Sequence, residues 1–199
     1  IKNTLSIVGQ RSLLDINYEN NELIKKNKNL KINLSSIGKG FGIDLIGRKL
    51  DKLGVKNYLI NIGGDILTKG HNKKKESWII GIENPNLDVK FIKEIVNITN
   101  KGLATSGDYK NFFTKNGKRY SHIINPKTGK PITHKTKSVT VIHDNSIKAD
   151  GWATAFLALG RVEGLKIAEK EKIAVLFIDK IDDKLMKFKS NQFVNFKQN

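Results

Sequence analysis

Hydroxyl, carboxylate, phenol and imidazole groups are concentrated in one region of this chain. Residues 104–109 read Ala-Thr-Ser-Gly-Asp-Tyr, and residues 120–129 read Tyr-Ser-His-Ile-Ile-Asn-Pro-Lys-Thr-Gly. Asn116-Gly117 lies between two runs that contain aromatic residues, a pattern typical of a tight turn between antiparallel strands. We therefore expect a hairpin that places His122 opposite the loop following Gly107. A serine, an aspartate and a histidine on a hairpin are often incidental, so the spacing alone leaves a structural interpretation open beside a catalytic one.

A glycine-rich segment forms a second candidate site, between a predicted strand and a predicted helix. Residues 33–44 read Asn-Leu-Ser-Ser-Ile-Gly-Lys-Gly-Phe-Gly-Ile-Asp. Amide groups at the start of a helix attract phosphate, and Lys39 adds positive charge there. The segment lacks the Gly-Lys-Ser/Thr ending of a Walker loop, and its glycines do not match the dinucleotide-binding fingerprint. The pattern therefore fits either phosphate binding or close packing of the helix on a sheet.

Two oxygen-bearing side chains, Asp150 and Thr154, are four residues apart in another predicted helix. This spacing places both on one helical face. A carboxylate and a hydroxyl are hard oxygen donors, which suit Mg²⁺ together with waters and substrate phosphates. A capping role for the carboxylate is the alternative. The sequence contains no cysteine and no histidine cluster, which argues against zinc.

A predicted buried strand ends in Gly63-Gly64-Asp65. Two consecutive glycines give room for a sharp turn or for the close approach of a ligand to the backbone. An aspartate at this position commonly caps the turn. We therefore interpret Asp65 as structural support and not as a site residue.

The composition indicates a globular protein with an excess of lysine. Among 199 residues, 36 Lys and Arg face 19 Asp and Glu, which gives a net charge of +17, and only four of the basic residues are arginines. Such a charge can indicate a polyanionic partner. The lysines are scattered, however, and a genome biased toward A and T explains abundant Lys, Asn and Ile. We expect no nucleic-acid partner, with a basic nucleic-acid-binding module as the distant alternative.

Hydrophobic periodicity predicts three helices. Residues 37–53 carry an apolar stripe and are followed by Gly54, which ends the helix. Residues 147–159 form a second helix, capped by Asn145 or Ser146 and closed by Gly160. Residues 162–171 form a third, amphipathic helix. No run of 18 apolar residues predicts a membrane span, and no signal-peptide pattern follows Ile1, so any targeting segment was removed or is not included.

Short strands outnumber these helices. Alternating or β-branched runs predict strands at residues 13–18, 23–25, 30–34, 58–62, 66–68, 78–83, 95–99, 137–143 and 173–178, and a closing hairpin of residues 184–189 with 192–196. The elements do not follow a strict strand–helix repeat. The fold class is therefore α+β, a single domain with mixed or antiparallel sheets packed against a few helices.

Together, these separated motifs resemble the ApbE family, the FAD:protein FMN transferases. The resemblance runs from about Leu30 to Gly160 and continues weakly to the C-terminus. It implies an ApbE-like, T-fold-like architecture. Family members carry well over a hundred residues ahead of the point that matches the start of this chain, so we expect a domain over residues 1–199 that is incomplete at its N-terminus and contains only part of the flavin pocket.

The resemblance also implies roles for individual residues. It assigns the backbone carbonyl of Ser36 and the side chains of Asp150 and Thr154 to a Mg²⁺ ion. It assigns Asn33, Lys39 and the main chain of Ile124 to FAD, and it makes His122 the general base. Many members have an aspartate at the position of Asn33; asparagine keeps a hydrogen-bond acceptor but removes a charge.

The activity that the resemblance implies is Mg²⁺-dependent transfer of the FMN part of FAD to a threonine or serine hydroxyl, with release of AMP. The acceptors would be flavoprotein subunits of membrane redox complexes. Such enzymes work in the bacterial cell envelope, at the periplasmic face of the inner membrane, often as lipoproteins whose anchor would lie outside this chain. The alternatives are hydrolysis of FAD to FMN and AMP, and a flavin-binding remnant without catalysis.

Overall fold

A computed structural model describes residues 5–85, 92–108, 112–115, 118–182 and 184–196. The helices in chain order are α1 (Gln10–Leu13), α2 (Gly38–Lys52), α3 (Ser146–Leu159), α4 (Arg161–Lys170) and α5 (Asn191–Val194). The strands are β1 (Leu14–Asn17), β2 (Glu22–Lys25), β3 (Tyr58–Ile62), β4 (Asp65–Lys69), β5 (Trp78–Glu83), β6 (Ile92–Ile98), β7 (Gly102–Gly107), β8 (Phe112–Lys115), β9 (Lys118–Ser121), β10 (Ile124–Asn125), β11 (Lys130–Pro131), β12 (Thr136–His143), β13 (Ala174–Ile181) and β14 (Lys184–Lys189).

Six of the strands form the central sheet, in the order β14-β13-β12-β7-β4-β3. Every neighbouring pair in this sheet is antiparallel. The remaining strands form two-stranded antiparallel ribbons, β1-β2, β5-β6, β8-β9 and β10-β11. The α+β class with antiparallel sheets and few helices is therefore confirmed.

The central sheet is covered on both faces, because successive side chains of a strand point to opposite sides. Val139, Val141, Val175 and Phe177 pack on one side against the buried face of α3 and against α4. The other side carries a second apolar cluster, in which residues of β12 and β13 meet the β5-β6 ribbon and α5: Ile142, Leu176, Ile178, Ile80, Ile82, Val96, Ile98 and Phe193. Strand β7 lies near the middle of the sheet, so its side chains reach both layers.

Most predicted elements are confirmed. The strands over 58–62, 78–83 and 184–189 have the predicted bounds. Each end of the helices predicted over 37–53, 147–159 and 162–171 lies within one residue of its predicted position. Asn145 is the cap of α3, since its side chain accepts a hydrogen bond from the Lys148 amide. The predicted hairpin around residues 116–117 is present as the β8-β9 pair, although its turn lies outside the described residues.

Two predicted strands are wrong. Residues 30–34 form no strand; Leu30 is buried, and the Asn33 side chain accepts a hydrogen bond from the Ser35 amide, which is typical of a turn. The segment 192–196 does not close a hairpin, because α5 takes its place. Ser190 hydrogen-bonds the backbone of residues 173 and 175, and Phe193 is buried in the apolar cluster, so the chain turns into a helix there.

Helix α2 buries a different face from the apolar stripe that predicted it. Phe41, Leu45 and Leu53 of the stripe are all more than half exposed. The buried face contains Gly40, Ile43, Asp44 and Gly47 instead. Small residues let the helix backbone approach its neighbours closely, so glycines and not the large apolar side chains decide how α2 docks. No helix among the described residues is long and apolar enough to span a membrane.

Candidate functional site

The site begins where the N-terminal ends of α2 and α3 meet. A Cβ atom added at Gly40 would lie only 2.3 Å from the Ser146 carbonyl oxygen, so glycine is required at this approach. One helical turn later, the carboxylate of Asp44 accepts hydrogen bonds from the Ser146 amide at 2.8 Å and from the Ile147 amide at 2.9 Å. Helix α2 therefore caps α3, and the two helix starts are held in a fixed relation.

Asp150 lies at this junction in the first turns of α3. Its Oδ2 accepts a hydrogen bond from the Gly40 amide at 3.0 Å, and the residue is 3 % exposed. Burial raises the pKa of the Asp150 carboxyl, while the Gly40 hydrogen bond opposes the rise; the charge of Asp65 raises this pKa further and that of Lys39 lowers it. Two carboxylates and one ammonium are thus close enough to influence one another, with both carboxylates buried and the ammonium group partly exposed.

Lys39 and Asp65 form an ion pair within this group. The Lys39 Nζ lies 2.8 Å from Asp65 Oδ2, and the side chain of Asp65 is 1 % exposed whereas that of Lys39 is 42 % exposed. The other oxygen of Asp65 accepts from the Thr105 amide of β7 at 3.3 Å. Gly63 lies beneath the lysine, since a Cβ atom there would be 3.7 Å from Lys39 Cδ. The ammonium group is consequently held at the surface above a buried carboxylate.

Thr154 follows Asp150 by one helical turn, as its spacing predicted. Its Oγ1 lies 3.2 Å from the Oγ of Ser106 on β7. Ser36 immediately precedes Ile37, whose Cγ2 would be 3.2 Å from a Cβ atom on Gly151. The turn that contains Ser36 therefore lies against the same stretch of α3 as the Asp150 side chain.

These donors fit a magnesium ion and do not fit a soft metal. One buried carboxylate, one hydroxyl and one backbone carbonyl are all oxygen ligands, and a set of three leaves positions for waters or phosphate oxygens. No group of three or more His, Cys, Asp or Glu side chains that could hold a metal occurs in the described part of the chain. A cage of Asp150, Thr154 and the Ser36 carbonyl would contain only one side chain of these four types, Asp150, and would take its other ligands from a hydroxyl and a backbone carbonyl.

The remaining predicted residues are Asn33, which lies three residues before Ser36, and His122 and Ile124, which lie on another segment. Asn33 is exposed in the turn before α2, where its side-chain oxygen accepts from the Ser35 amide at 2.8 Å. His122 is exposed in the bend between β9 and β10. The next residue, Ile123, packs against the apolar layer that contains α3, and Ile124 pairs with Pro131 while remaining half exposed. His122 and Ile124 are thus carried on a connection that is anchored beside α3.

Asp108 has a cationic neighbour of its own. The Lys137 Nζ lies 3.6 Å from Asp108 Oδ2, and Asp108 is 5 % exposed. The two residues line a cavity of about 430 Å³ together with Ser121 and His134. Burial lowers the pKa of His134, and its Nε2 lies 2.9 Å from the Leu157 carbonyl oxygen, which fixes this ring to α3. Asp108 is thus buried beside a lysine at the wall of this cavity.

Known proteins match this chain over most of its length. The model of the ApbE family matches residues 1–177. The chain belongs to the ApbE family. An FAD:protein FMN transferase of Vibrio cholerae is 41 % identical over 181 residues, which cover 91 % of this chain and 54 % of that protein. One from Haemophilus influenzae is 40 % identical over 181 residues, which cover 90 % of this chain and 52 % of that protein. The chain therefore spans about half the length of these curated relatives.

Solved ApbE structures have the same fold. The apo form of the flavinyl transferase ApbE from Pseudomonas stutzeri matches with a TM-score of 0.86 and 34 % identity, over 98 % of this chain and 59 % of that one. The flavin transferase ApbE from Vibrio cholerae matches with a TM-score of 0.86 and 37 % identity, over 98 % of this chain and 61 % of that one. A histidine-to-glycine mutant of the latter protein has also been solved and matches with a TM-score of 0.85. The ApbE-like architecture predicted from the motifs is confirmed.

Two long-range contacts of this ApbE chain do not follow from the sequence patterns. The carboxylate of Asp65 pairs with Lys39. The hydroxyl of Ser106 contacts Thr154. Neither contact joins residues that are close in sequence, so no periodic pattern could predict it. The one available signal was the polarity of Asp65 at the end of an otherwise apolar strand.

Proposed function

We propose that this ApbE chain acts in the transfer of FMN from FAD to a threonine or serine hydroxyl of an acceptor flavoprotein. The observation that carries the proposal is the junction between the N-terminal ends of α2 and α3. There, Asp150 accepts a hydrogen bond from the Gly40 amide, and the ammonium group of Lys39 lies nearby. Backbone amides and a lysine favour a phosphate, and a buried carboxylate favours a cation. A pyrophosphate bound through Mg²⁺ satisfies both preferences.

The metal would be held by Asp150, Thr154 and the Ser36 carbonyl. When bound, Mg²⁺ neutralises the pyrophosphate and stabilises the AMP leaving group. Lys39 adds a second positive charge, and its pairing with the buried Asp65 restrains where that charge lies. The lysine has further N–H donors for phosphate oxygens beyond the one directed at Asp65.

The reaction itself is a displacement at phosphorus. The acceptor hydroxyl oxygen forms a bond to the phosphorus on the FMN side, and the bond from that phosphorus to the oxygen bridging to AMP breaks. AMP leaves with the bridging oxygen. The hydroxyl proton must be taken up near neutral pH, a task suited to histidine, which ordinarily titrates at about pH 6.5. His122 is the histidine that the family resemblance assigns to this role, and its exposure allows a protein acceptor to reach it.

The acceptor and the cellular setting follow from the family resemblance. We infer that the acceptor is a flavoprotein subunit of a membrane redox complex and that the reaction takes place at the periplasmic face of the inner membrane. An exposed His122 is compatible with an acceptor that is a separate protein. These assignments can be tested by finding which proteins acquire covalent FMN in cells that express the gene.

The activity can be tested with purified components. FAD, Mg²⁺ and an acceptor peptide that contains a threonine are incubated with the protein, and products are separated by mass spectrometry. Transfer gives an FMN-peptide and AMP in equal amounts. Free FMN and AMP would show hydrolysis instead, with water in place of the hydroxyl, and absence of both with retained flavin binding would show a carrier.

The metal assignment requires a matched pair of variants. Asp150→Ala should abolish Mg²⁺-dependent turnover, because it removes the only side-chain carboxylate of the proposed cage. Asp144→Ala is the control: this aspartate precedes α3 by two residues, but it pairs with Lys101 in an exposed position. Equal activity in Asp150→Ala and the parent protein would contradict the assignment.

A further inference from the structure

We propose that Ser106 is a positioning residue for Thr154. Its hydroxyl oxygen accepts the Thr154 hydroxyl hydrogen and thereby turns the lone pairs of Thr154 toward the metal. The proposal rests on the proposed function, since it requires a cation at Thr154. It adds a residue of β7 to a site otherwise built from α3, the start of α2 and the turn that precedes α2.

The contact is held by rigid elements on both sides. Ser106 lies in β7, directly opposite Val139 of β12, and the neighbouring Thr105 amide is bonded to the buried Asp65. Thr154 lies in the middle of α3, which packs on this face of the sheet through Ala149 and Ala153. The separation of 3.2 Å between the two hydroxyl oxygens is therefore set by backbone packing and not by a mobile loop.

The direction of the hydrogen bond follows from the chemistry of a hydroxyl ligand. A threonine hydroxyl has one hydrogen and two acceptor lone pairs. A cation binds a lone pair and repels the hydrogen, so the hydrogen must point away from the metal. An acceptor on the far side stabilises that orientation, and Ser106 Oγ is within hydrogen-bond distance to provide it. Without a cation, either hydroxyl can donate the hydrogen bond. With a cation bound to Thr154, only the arrangement in which Thr154 donates and Ser106 accepts is compatible with ligation.

A second hydroxyl pair on the same strand offers a matched control. Thr105 Oγ1 lies 2.8 Å from Thr140 Oγ1 of β12. Thr105 is adjacent to Ser106, so its side chain points to the opposite face of the sheet. Loss of the Thr105–Thr140 hydrogen bond perturbs β7, the strand that carries Ser106, but it does not touch Thr154.

The test measures the affinity for Mn²⁺ alone by electron paramagnetic resonance, with no turnover required. Removal of a residue that orients a metal ligand typically lowers metal affinity by about 10- to 100-fold, and we expect the lower end for a neutral hydroxyl in Ser106→Ala. Ser106→Thr keeps the hydroxyl and should restore most of the affinity. Thr140→Val should bind Mn²⁺ as the parent protein does. Thermal unfolding of each variant verifies that it is folded.

A double-mutant cycle then separates positioning from a general loosening of the fold. If Ser106 acts through Thr154, Ser106→Ala adds no further loss of Mn²⁺ affinity to Thr154→Ala. Three outcomes would each overturn the proposal while leaving the proposed function in place. They are additive losses of Mn²⁺ affinity in the double variant, an unchanged affinity in Ser106→Ala, and a loss in Thr140→Val equal to that in Ser106→Ala. An affinity that does not change in Asp150→Ala would overturn the metal site and the positioning role together.

Discussion

Lys39 and Asp65 form a pair whose two members are buried to very different extents. The carboxylate is inaccessible to water, whereas the ammonium group is partly hydrated. A buried charge that loses its partner destabilises the folded state, and an exposed charge that loses its partner is simply solvated. The two single substitutions are therefore not equivalent, although they break the same ion pair.

The first prediction is that Lys39→Met lowers the free energy of unfolding by about 1–3 kcal/mol, less than for a fully buried pair because Lys39 is partly exposed. A second change, Asp65→Asn, should recover part of this loss by removing the unpaired charge. Urea unfolding of the single and double variants measures both effects. Lys69→Met is the matched control, because Lys69 is 40 % exposed but its partner Asp51 is 39 % exposed. Similar losses in the two lysine variants would contradict the argument.

The second prediction concerns His122, on the bend after β9. His122→Ala should still bind FAD but should transfer FMN about 10²- to 10⁴-fold more slowly, the usual cost of losing a general base. FAD binding is measured by fluorescence and transfer by mass spectrometry. His71→Ala, at an exposed histidine whose Nδ1 lies 2.9 Å from the Asn72 carbonyl oxygen, serves as the control. A transfer rate in His122→Ala close to that of the parent protein would leave His122 without a catalytic role.

Among the elements, the β5-β6 ribbon is attached to the edge of the central sheet by charge as well as by apolar packing. Glu94 of β6 accepts from Lys187 at 2.7 Å and from Lys189 at 2.8 Å, both on β14. The Asn97 amide donates to the Phe196 carbonyl oxygen at 2.8 Å, which ties the same ribbon to the segment after α5. The ribbon thus covers the apolar layer on the side of the sheet away from α3.

The third prediction is the pH dependence of this attachment. Burial raises the pKa of the Glu94 carboxyl, but the hydrogen bonds and charges of Lys187 and Lys189 outweigh it and leave the pKa below its ordinary value of 4.5. A lowered pKa contributes stability that is present above the ordinary value and is lost as pH falls through the folded-state value. The stability difference between the parent protein and Glu94→Gln should therefore be largest near neutral pH and should shrink below about pH 4.5.

Urea unfolding at a series of pH values measures this difference. Glu163→Gln is the control, because Glu163 pairs with Lys166 in an exposed position on α4 and should contribute little at any pH. A difference for Glu94→Gln that stays constant from neutral to acidic pH would show that the ion pairs do not stabilise the attachment.

At the scale of the whole molecule, α2 leaves its apolar stripe exposed. Phe41 and Leu45 on α2, and Leu53 directly after it, are exposed, whereas large apolar side chains on a helix usually mark a face that packs against another element. The chain spans about half the length of the curated transferases that it matches. Under the proposed function, the part of such a transferase that this chain does not match would add binding groups for FAD.

The fourth prediction is that the 199 residues bind FAD more weakly than a chimaera that also carries the unmatched part of the Vibrio cholerae transferase. Favourable interactions with a ligand multiply in the binding constant, and about 1.4 kcal/mol of additional binding free energy raises the affinity tenfold. A pocket with more groups around the flavin should therefore bind FAD more tightly. FAD titration by fluorescence on both proteins measures the effect. Equal affinities would show that the flavin pocket lies wholly within this chain.

The sequence determined the features that depend on neighbouring residues. Asp150 and Thr154 share a helical face because they are four residues apart, and the strand over 78–83 follows from its aromatic and β-branched side chains. The family also follows from sequence, because separated motifs occur in a fixed order. Each of the structural inferences uses a period or spacing that the backbone geometry fixes locally.

Only the tertiary structure decided which face of α2 is buried and which side chains meet at the site. Apolar periodicity predicts which face of a helix could be buried. In α2, however, the close approach of Gly40 to Ser146 buries the face that contains the glycines. The Lys39–Asp65 and Ser106–Thr154 contacts join residues 26 and 48 positions apart. Such contacts depend on the register of β4 and β7 in the sheet and on how two helices dock against it. These arrangements result from packing the whole chain at once, so no local pattern contains them.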